Sequence, residues 1–422
     1  MIFVLASYGT RGDVEPCLAV AGELLRRGHE VRLAVPPDLV GFVESIGLSA
    51  IAYGPDARRW QDVHRELLTY LSRKPWRLRD LKRLWREDWA LFTRSWKETS
   101  KTLTTLADGA DLLLTGVIGE LAAANVAEYC GIPLATLHTY PMRANGQLVP
   151  FLPAPVGRFA VTATEWPNWL MTKKLEDAQR RELNLPKATG LPTRRLAERG
   201  TLEIQAYDEV CFPGLAAEWA KWEDRRPFVG ALTLELSTDA DDDVASWIAN
   251  DTPPIFFGFG SMPVDSATDT MDMISATCAQ LGERALVVSG GSDFSRVRRS
   301  EHVKVVDTLN LAAVFPLCRA VVHHGGSGTT AASLRAGVPA LILSSWPDQR
   351  FWGYVIQRLK VGDTRRFSAT TRETLIADLR TILAPQYAVR AREVARQMSK
   401  PAESVAAVAD VLENSARLRL AS

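Results

Sequence analysis

"AVVHHGGSGTTAASLRAGVPALILSSWPDQRFWG", residues 320–353, decides how this chain folds. A short apolar run breaks at Gly325-Gly326-Ser327-Gly328, a helical pattern follows to Ala336, and "PALILSS" (339–345) is apolar again. Strand, glycine turn, helix and strand in that order form the repeating unit of a parallel sheet. At such a turn the missing side chains let backbone N–H groups approach an anion, and the helix start adds about half a positive charge. Thr329 and Thr330 add hydroxyl donors, and His324 adds a ring N–H that needs no full charge. The turn suits phosphate oxygens. The plainer alternative is a tight turn whose histidines are satisfied by neighbouring backbone. No Lys-Ser/Thr follows the glycines, so this is not a Walker A loop, and no GxGxxG follows the first strand, so the dinucleotide fingerprint is absent.

The same alternation extends to both sides. "IFVLAS" (2–7), "EVRLAVP" (30–36), "SAIAYG" (49–54), "DLLLTG" (111–116) and "PLATLHT" (133–139) read as strands of a first half. "EPCLAVAGELLRRG" (15–28) and "DLVGFVESIG" (38–47) read as helices between them. "PIFFGFGS" (254–261), "RALVVSGG" (284–291), "VKVVDT" (303–308), "RAVVHHGG" (319–326) and "PALILSS" make a second half. At roughly 100–200 residues per domain, 422 residues suggest two domains. The expectation is an α/β fold, two doubly wound parallel sheets facing a central cleft. The domains run 1–231 and 251–400, with an acidic linker at 232–250. A closing helix at 401–422 is free to pack back on the first domain.

Composition narrows the partners. With 50 basic and 49 acidic side chains the formal charge is +1, which argues against wholesale nucleic-acid binding. Five scattered cysteines without CxxC spacing fit a reducing compartment and argue against disulfides or a zinc site. No run approaches the ~20 apolar residues of a membrane span, and the first strand is too short for a signal peptide. The expectation is a cytoplasmic protein that can still touch the inner face of a membrane. Between the strands near 50 and 111 lies an insertion holding Trp60, Trp76, Trp85, Trp89 and Trp96, with Arg73, Lys74, Arg77, Arg79, Lys82, Arg83 and Arg86 around them. Either the tryptophans face a core, or this is an acceptor- or membrane-facing surface.

Segment 320–353 resembles the donor-binding signature of the GT-B glycosyltransferases, the nucleotide-sugar family that includes plant, sterol and glycopeptide-antibiotic glycosyltransferases. The resemblance rests on the spacing from His324 to Asp348-Gln349, on "AGVP" (336–339) and on Pro347. "GTRGDVEP" (9–16) is similar to the N-terminal motif of the antibiotic and sterol branch, and "GFGSM" (258–262) to the turn opening the C-terminal domain. The actinobacterial subgroup that decorates peptide lipids and antibiotics is the nearest in character. The resemblance implies that His324 and Thr329, with Gly326, Ser327, Gly328 and, from the other side, Ser261, hold the donor diphosphate. Asp348 and Gln349 would bind the donor sugar, and Val306 sits where the nucleobase is read. This chain departs from the plant signature in lacking a Trp near Val306 and in having Ala332 in place of a ribose-binding Glu. The choice between uridine and thymidine diphosphate stays open.

Asp13 stands where the antibiotic branch carries a catalytic aspartate. By its own position it also reads as a helix cap. The resemblance implies transfer of a hexose or deoxyhexose, such as rhamnose or 6-deoxytalose, to a hydroxyl of a glycopeptidolipid, lipid or antibiotic-like acceptor. Asp13 would be the base of an inverting displacement, and the phosphate loop would take the place of a metal. No cofactor is expected beyond the nucleotide-sugar co-substrate. Asp239-Ala240-Asp241, a metal-binding pattern elsewhere, reads as a solvated charge run in the linker. Arg11 either steers the diphosphate or closes a turn salt bridge. His138, Glu120, Trp76 and Trp85 are candidate acceptor contacts, and "HTYPMRANGQLVPFLPAPVG" (138–157) a candidate acceptor loop. Two rivals are a catalytically silent sugar-nucleotide binder that activates a partner, and an epimerase on the same scaffold.

Overall fold

In the computed structural model the apolar runs form two separate six-stranded sheets; residues 1–73, 76–148, 152–260, 266–290 and 300–420 are described. The first contains β1 (Ile2–Ala6), β2 (Glu30–Val35), β3 (Ile51–Ala52), β4 (Leu112–Gly116), β5 (Leu134–His138) and β6 (Leu202–Gln205), in spatial order β3-β2-β1-β4-β5-β6. The second contains β7 (Ile255–Gly258), β8 (Ala285–Val288), β9 (Val303–Val306), β10 (Ala320–His323), β11 (Ala340–Ser344) and β12 (Gly362–Arg366), in order β12-β11-β10-β7-β8-β9. All pairings between these strands are parallel.

Side chains alternate across a strand, and both sides of the central strands are covered. Phe3 and Leu5 of β1 pack with Val14, Leu18 and Leu24 of the Arg11–Arg26 helix. Val4 and Ala6 face the other way, against Leu103 of the Leu78–Leu106 helix and Val126 of the Glu120–Cys130 helix. Continuous apolar runs such as "IFVLA" are what burial on both faces demands. In each sheet the chain winds outward in both directions from a central pair, β1/β4 and β7/β10. A crevice therefore opens at the carboxyl ends of those pairs. Asp13 follows β1, and the 324–330 turn follows β10. The topology alone puts both motifs at crevices.

Several boundaries differ from the sequence reading. β6 ("LEIQ") and β12 ("GDTRR") were not expected, because polar and charged residues leave neither with an apolar run. Backbone pairing to β5 and β11 holds them, with Arg365 bonding Asp378 beside β12. The stretch expected as an acidic linker is only partly irregular. Asp241–Ala249 is a helix whose Val244 and Ile248 join Phe256 and Leu286 in the second sheet's core. Asp241 is no solvated charge: its carboxylate accepts from Thr238 N, Thr238 Oγ1 and Asn310 N. Burial pulls this carboxyl up, and those bonds outweigh it, leaving it below the usual range. The final helix, Pro401–Leu420, crosses back to the first sheet. Its Val408, Ala409, Leu412 and Ala416 complete the cluster around Phe3, and Arg27 and His29 bond Asp410 and Glu413 along it.

The tryptophan-bearing insertion is a hairpin of the Ala57–Arg73 and Leu78–Leu106 helices. Its tryptophans differ in burial. Trp96 is buried and donates to Gln179 Oε1 at 3.0 Å, whereas Trp76 and Trp85 lie exposed on the outside.

Candidate active site

Asp13 sits at the third position of the Arg11–Arg26 helix, which begins at Arg11 because Thr10 caps it. Its Oδ2 accepts from Thr10 N at 2.6 Å and from Thr10 Oγ1 at 2.9 Å. Gly9, at φ +135°, makes room for this carboxylate: a Cβ there would lie 2.4 Å from Oδ2. Among the described residues Oδ1 accepts no hydrogen bond. One oxygen thus locks the helix start. Burial pushes the Asp13 carboxyl above 3.8, the Thr10 bonds oppose it, and the charge of Asp348 raises it further.

The opposite wall is the start of the Ser327–Ala336 helix, with Gly326 as its cap residue. By helix geometry the first-turn N–H groups of Ser327, Gly328 and Thr329 have no intrahelical acceptor. Thr330 turns inward instead, its Oγ1 donating to Gly326 O at 2.8 Å. Gly325, at φ +94°, is forced by packing, since a Cβ would meet Ile342 Cγ2 at 2.7 Å. The His324 ring fits between two glycines: a Cβ on Gly326 would lie 2.6 Å from its Nε2, and one on Gly260 2.7 Å from its Cε1. Burial lowers His324 to about 4, against an opposing bond to Gly258, and lowers His323 to about 3. Both rings are neutral near pH 7. His323 Nδ1 accepts from Gly325 N at 3.1 Å and so shapes the turn from behind.

Pro16, one turn beyond Asp13, shares a narrow crevice with Thr139, Ala206, Ser327, Gly328 and Trp352. The two motifs therefore face each other across the same gap. Asp348 stands at the start of the Pro347–Leu359 helix, raised above its ordinary value by burial against the opposing backbone N–H groups of Asp348 and Gln349. Gln349 Oε1 accepts from Ser345 N at 2.8 Å and Trp346 N at 3.0 Å, which holds that helix start in place. Tyr140 stacks on Phe351 (6.1 Å between ring centres) and lies near both carboxylates. Burial, Asp348 and Asp13, in that order, push its phenol up to about 12. Tyr140 was inside the segment singled out as an acceptor loop, but nothing in its spacing marked it.

Residues 3–104 match the model of the glycosyltransferase family 28 N-terminal domain, and residues 287–414 that of the erythromycin biosynthesis protein CIII-like C-terminal domain. An uncharacterized glycosyltransferase of Mycobacterium tuberculosis is 61% identical over 99% of both chains. The chain belongs to the glycosyltransferases. The GT-B fold of this glycosyltransferase is that of the kitacinnamycin glycotransferase (TM-score 0.70, 17% identity, 98% of each chain). It is likewise that of glycosyltransferase VinC, solved in complex with dTDP (TM-score 0.64, 18% identity, 98% and 100% covered).

Other candidate residues of the glycosyltransferase fall elsewhere. Arg11 is in a salt bridge, its Nε 2.6 Å from Glu15 Oε1, with its guanidinium over Phe42, and does not reach across the gap. His138 has no exposed surface, so it cannot line an acceptor pocket; its Nε2 faces Glu120 Oε1 at 3.4 Å and Thr136 Oγ1 at 3.2 Å. Glu120 accepts from Arg143 Nη2 at 2.5 Å, and Arg143 continues to Glu203 and on to Arg226. Burial raises Glu120, but Arg143 and His138 outweigh it and hold it at about 2. This ionic chain pins the start of the 138–157 loop, and its key member, Arg143, escaped the sequence reading. Val306 ends β9, with its carbonyl accepting from Ser289 N at 2.9 Å and its side chain against the core. Ser261 lies outside the described residues. Trp76 and Trp85 are exposed, on the outer hairpin. Among the described residues no three His, Cys, Asp or Glu side chains group as metal ligands, and no helix is long and apolar enough to cross a membrane.

Proposed function

We propose that this glycosyltransferase moves a hexose or deoxyhexose from a UDP- or dTDP-sugar to a hydroxyl of a hydrophobic acceptor, a lipopeptide, lipid or antibiotic-like molecule. The first-turn N–H groups of 327–329, the Thr329 hydroxyl and a neutral His324 N–H bind the diphosphate. Asp348 and Gln349 bind the sugar, and the Val306 end of β9 lies under the nucleobase. The acceptor oxygen bonds to the anomeric carbon as the bond from that carbon to the diphosphate oxygen breaks, its electron pair leaving with the diphosphate. The acceptor proton passes to Asp13, and the configuration inverts because attack comes from the opposite side. Charge on the leaving group is met by fixed backbone dipoles, so the reading requires no metal. In this reading the protein works in the cytoplasm, at the inner membrane face when the acceptor is a lipid.

One observation supports the assignment: the Asp13 helix and the 327–329 helix start, from different domains, line one crevice through Pro16, Ser327 and Gly328. In this reading the anomeric carbon sits between the base Asp13 and the sugar-binding Asp348. The deciding experiment is a panel of UDP- and dTDP-sugars, scored by thermal stabilisation and slow hydrolysis with and without EDTA. Stabilisation by at least one sugar nucleotide, insensitive to EDTA, is expected; no response to any would overturn the reading. Asp13→Asn keeps the cap and is expected to lower transfer by about 10²–10⁴-fold while leaving donor binding intact.

A further inference from the structure

The Ala154–Glu182 helix is amphipathic in the reverse sense. Its second half is anchored inward by polar groups: Gln179 bonds Trp96, Asn125 and Ser100, Arg180 bonds Glu128, and Glu176 bonds Arg195. Its first half turns apolar side chains to the outside. At 100° per residue, Val156, Phe159, Ala163, Trp166, Leu170 and Met171 fall within an arc of roughly 140°. All six are exposed, Phe159 by 74% and Trp166 by 54%. The half-buried side of the same turns carries Glu165, bonded to Thr193, and Val161. Water is normally met by the polar side of a surface helix, so an arc this apolar is explained by something that covers it.

We propose that this arc docks the glycosyltransferase on an anionic phospholipid bilayer. The arc presents aliphatic and aromatic side chains along a convex helix face, with Trp166 edge-on to Trp169, which fits a fluid acyl boundary. No acidic side chain lies in the arc between Val156 and Met171, and Lys174 stands exposed at its inner end, in line with Val156 along the helix. The parallel Leu78–Leu106 helix contributes a second set at its own start. There Trp76 and Leu78 protrude, with Arg79 and Lys82 exposed in the same turns, while Arg77 pairs with Asp80 and Arg83 with Glu66 and Glu87. Aromatic residues that sit at the headgroup level, flanked by lysine and arginine, are the composition an interfacial helix needs. The Leu78–Leu106 helix leads into the amino end of β4 and so starts on the cleft side of the first sheet, and the Ala154–Glu182 helix lies alongside it, Gln179 meeting Trp96 and Ser100. The docked face thus adjoins the cleft, where a lipid-borne hydroxyl would enter. The proposal deepens the reading of a hydrophobic acceptor, and it concerns binding rather than transfer.

The test is co-sedimentation of the full chain with phosphatidylcholine vesicles, with and without phosphatidylglycerol, for wild type and for Phe159→Glu/Trp166→Glu. Wild type is expected to bind the anionic vesicles, weaken with added salt, and lose about tenfold or more of that binding in the double variant. The melting temperature and sugar-nucleotide binding are expected to stay as they were, because both side chains are outside the core and the cleft. Equal binding by the two proteins, or no vesicle binding by wild type, overturns the proposal. So does a concentration-dependent dimer that the double variant abolishes, which would make the arc a contact between copies. Because vesicle binding needs no sugar donor, its failure leaves the transferase reading to the sugar-nucleotide panel.

Discussion

The His64 imidazole lies parallel to the Trp346 indole, 5.7 Å between ring centres and 4° between planes, and so joins the two halves of the protein. Trp60 covers its other face at 5.2 Å, and Asp88 Oδ1 holds its Nδ1 at 3.2 Å. Trp346 caps the helix that presents Asp348 and Gln349, so a residue of the outer hairpin buttresses the proposed sugar subsite. His64→Ala removes a stack of about 0.5–1.5 kcal/mol, and the Michaelis constant for the donor is expected to rise roughly 3–10-fold with little change in turnover. His64→Phe is expected to restore it. A donor Michaelis constant indifferent to both changes would show the stack to be a passive contact.

Gly326→Ala places a methyl 2.6 Å from His324 Nε2 and displaces the ring. Calorimetric titration with UDP and dTDP is expected to show affinity falling by about tenfold or more, near 1.4 kcal/mol. The fold is expected to survive, since the new methyl meets one movable ring and Gly326 needs no positive φ. Unchanged affinity would remove His324 from the diphosphate site.

Asp13 is held above 3.8 by burial and by Asp348. A base works only when deprotonated, so activity is expected to fall on the acid side at a pH above the ordinary carboxylate range. Asp348→Asn removes one raising charge. It is expected to lower turnover and to move the acid limb of the remaining activity to lower pH. A limb that stays in place in that variant would mean that another group controls it.

Stability has its own acid dependence. His323 and His324 titrate near 6.5 when unfolded and at about 3 and about 4 in the fold. Below 6.5 the unfolded chain binds more protons, so stability is present above 6.5 and is lost as pH falls towards those lower values. The loss is on the order of a few kcal/mol. His323→Asn keeps an acceptor for Gly325 N and cannot charge. Its melting temperature is expected to fall less steeply between pH 6.5 and 4 than that of wild type; identical slopes would count against the buried-histidine account.

The central strands were legible in the sequence because burial on both faces leaves continuous apolar runs, as in "IFVLA" and "ALILS". The glycine turn was legible for a related reason: glycines at a strand-to-helix junction are a local signature, and Gly325 and Gly326 are needed where side chains would collide. Strands β6 and β12 left no such trace, since polar residues interrupt both: in "LEIQ" only Leu202 and Ile204 join the core, and "GDTRR" is held by pairing to β11 and by the bond from Arg365 to Asp378. The helix within 241–249 was hidden by its three aspartates, which cap and hydrate one side while Val244 and Ile248 bury the other.

What the sequence by itself determined was the two-sheet α/β architecture, both turn motifs and, through them, the family. Only the tertiary structure decided which polar groups meet. It put Tyr140 beside Asp13 and Asp348, tied Arg143 to Glu120 and Glu203, buried His138, and turned the apolar arc of Val156–Met171 outward. Periodicity records which residues share one side of a helix or strand. Which side meets the core, and which distant charge stands opposite, depends on how the layers stack, and that is settled only when the whole chain is packed.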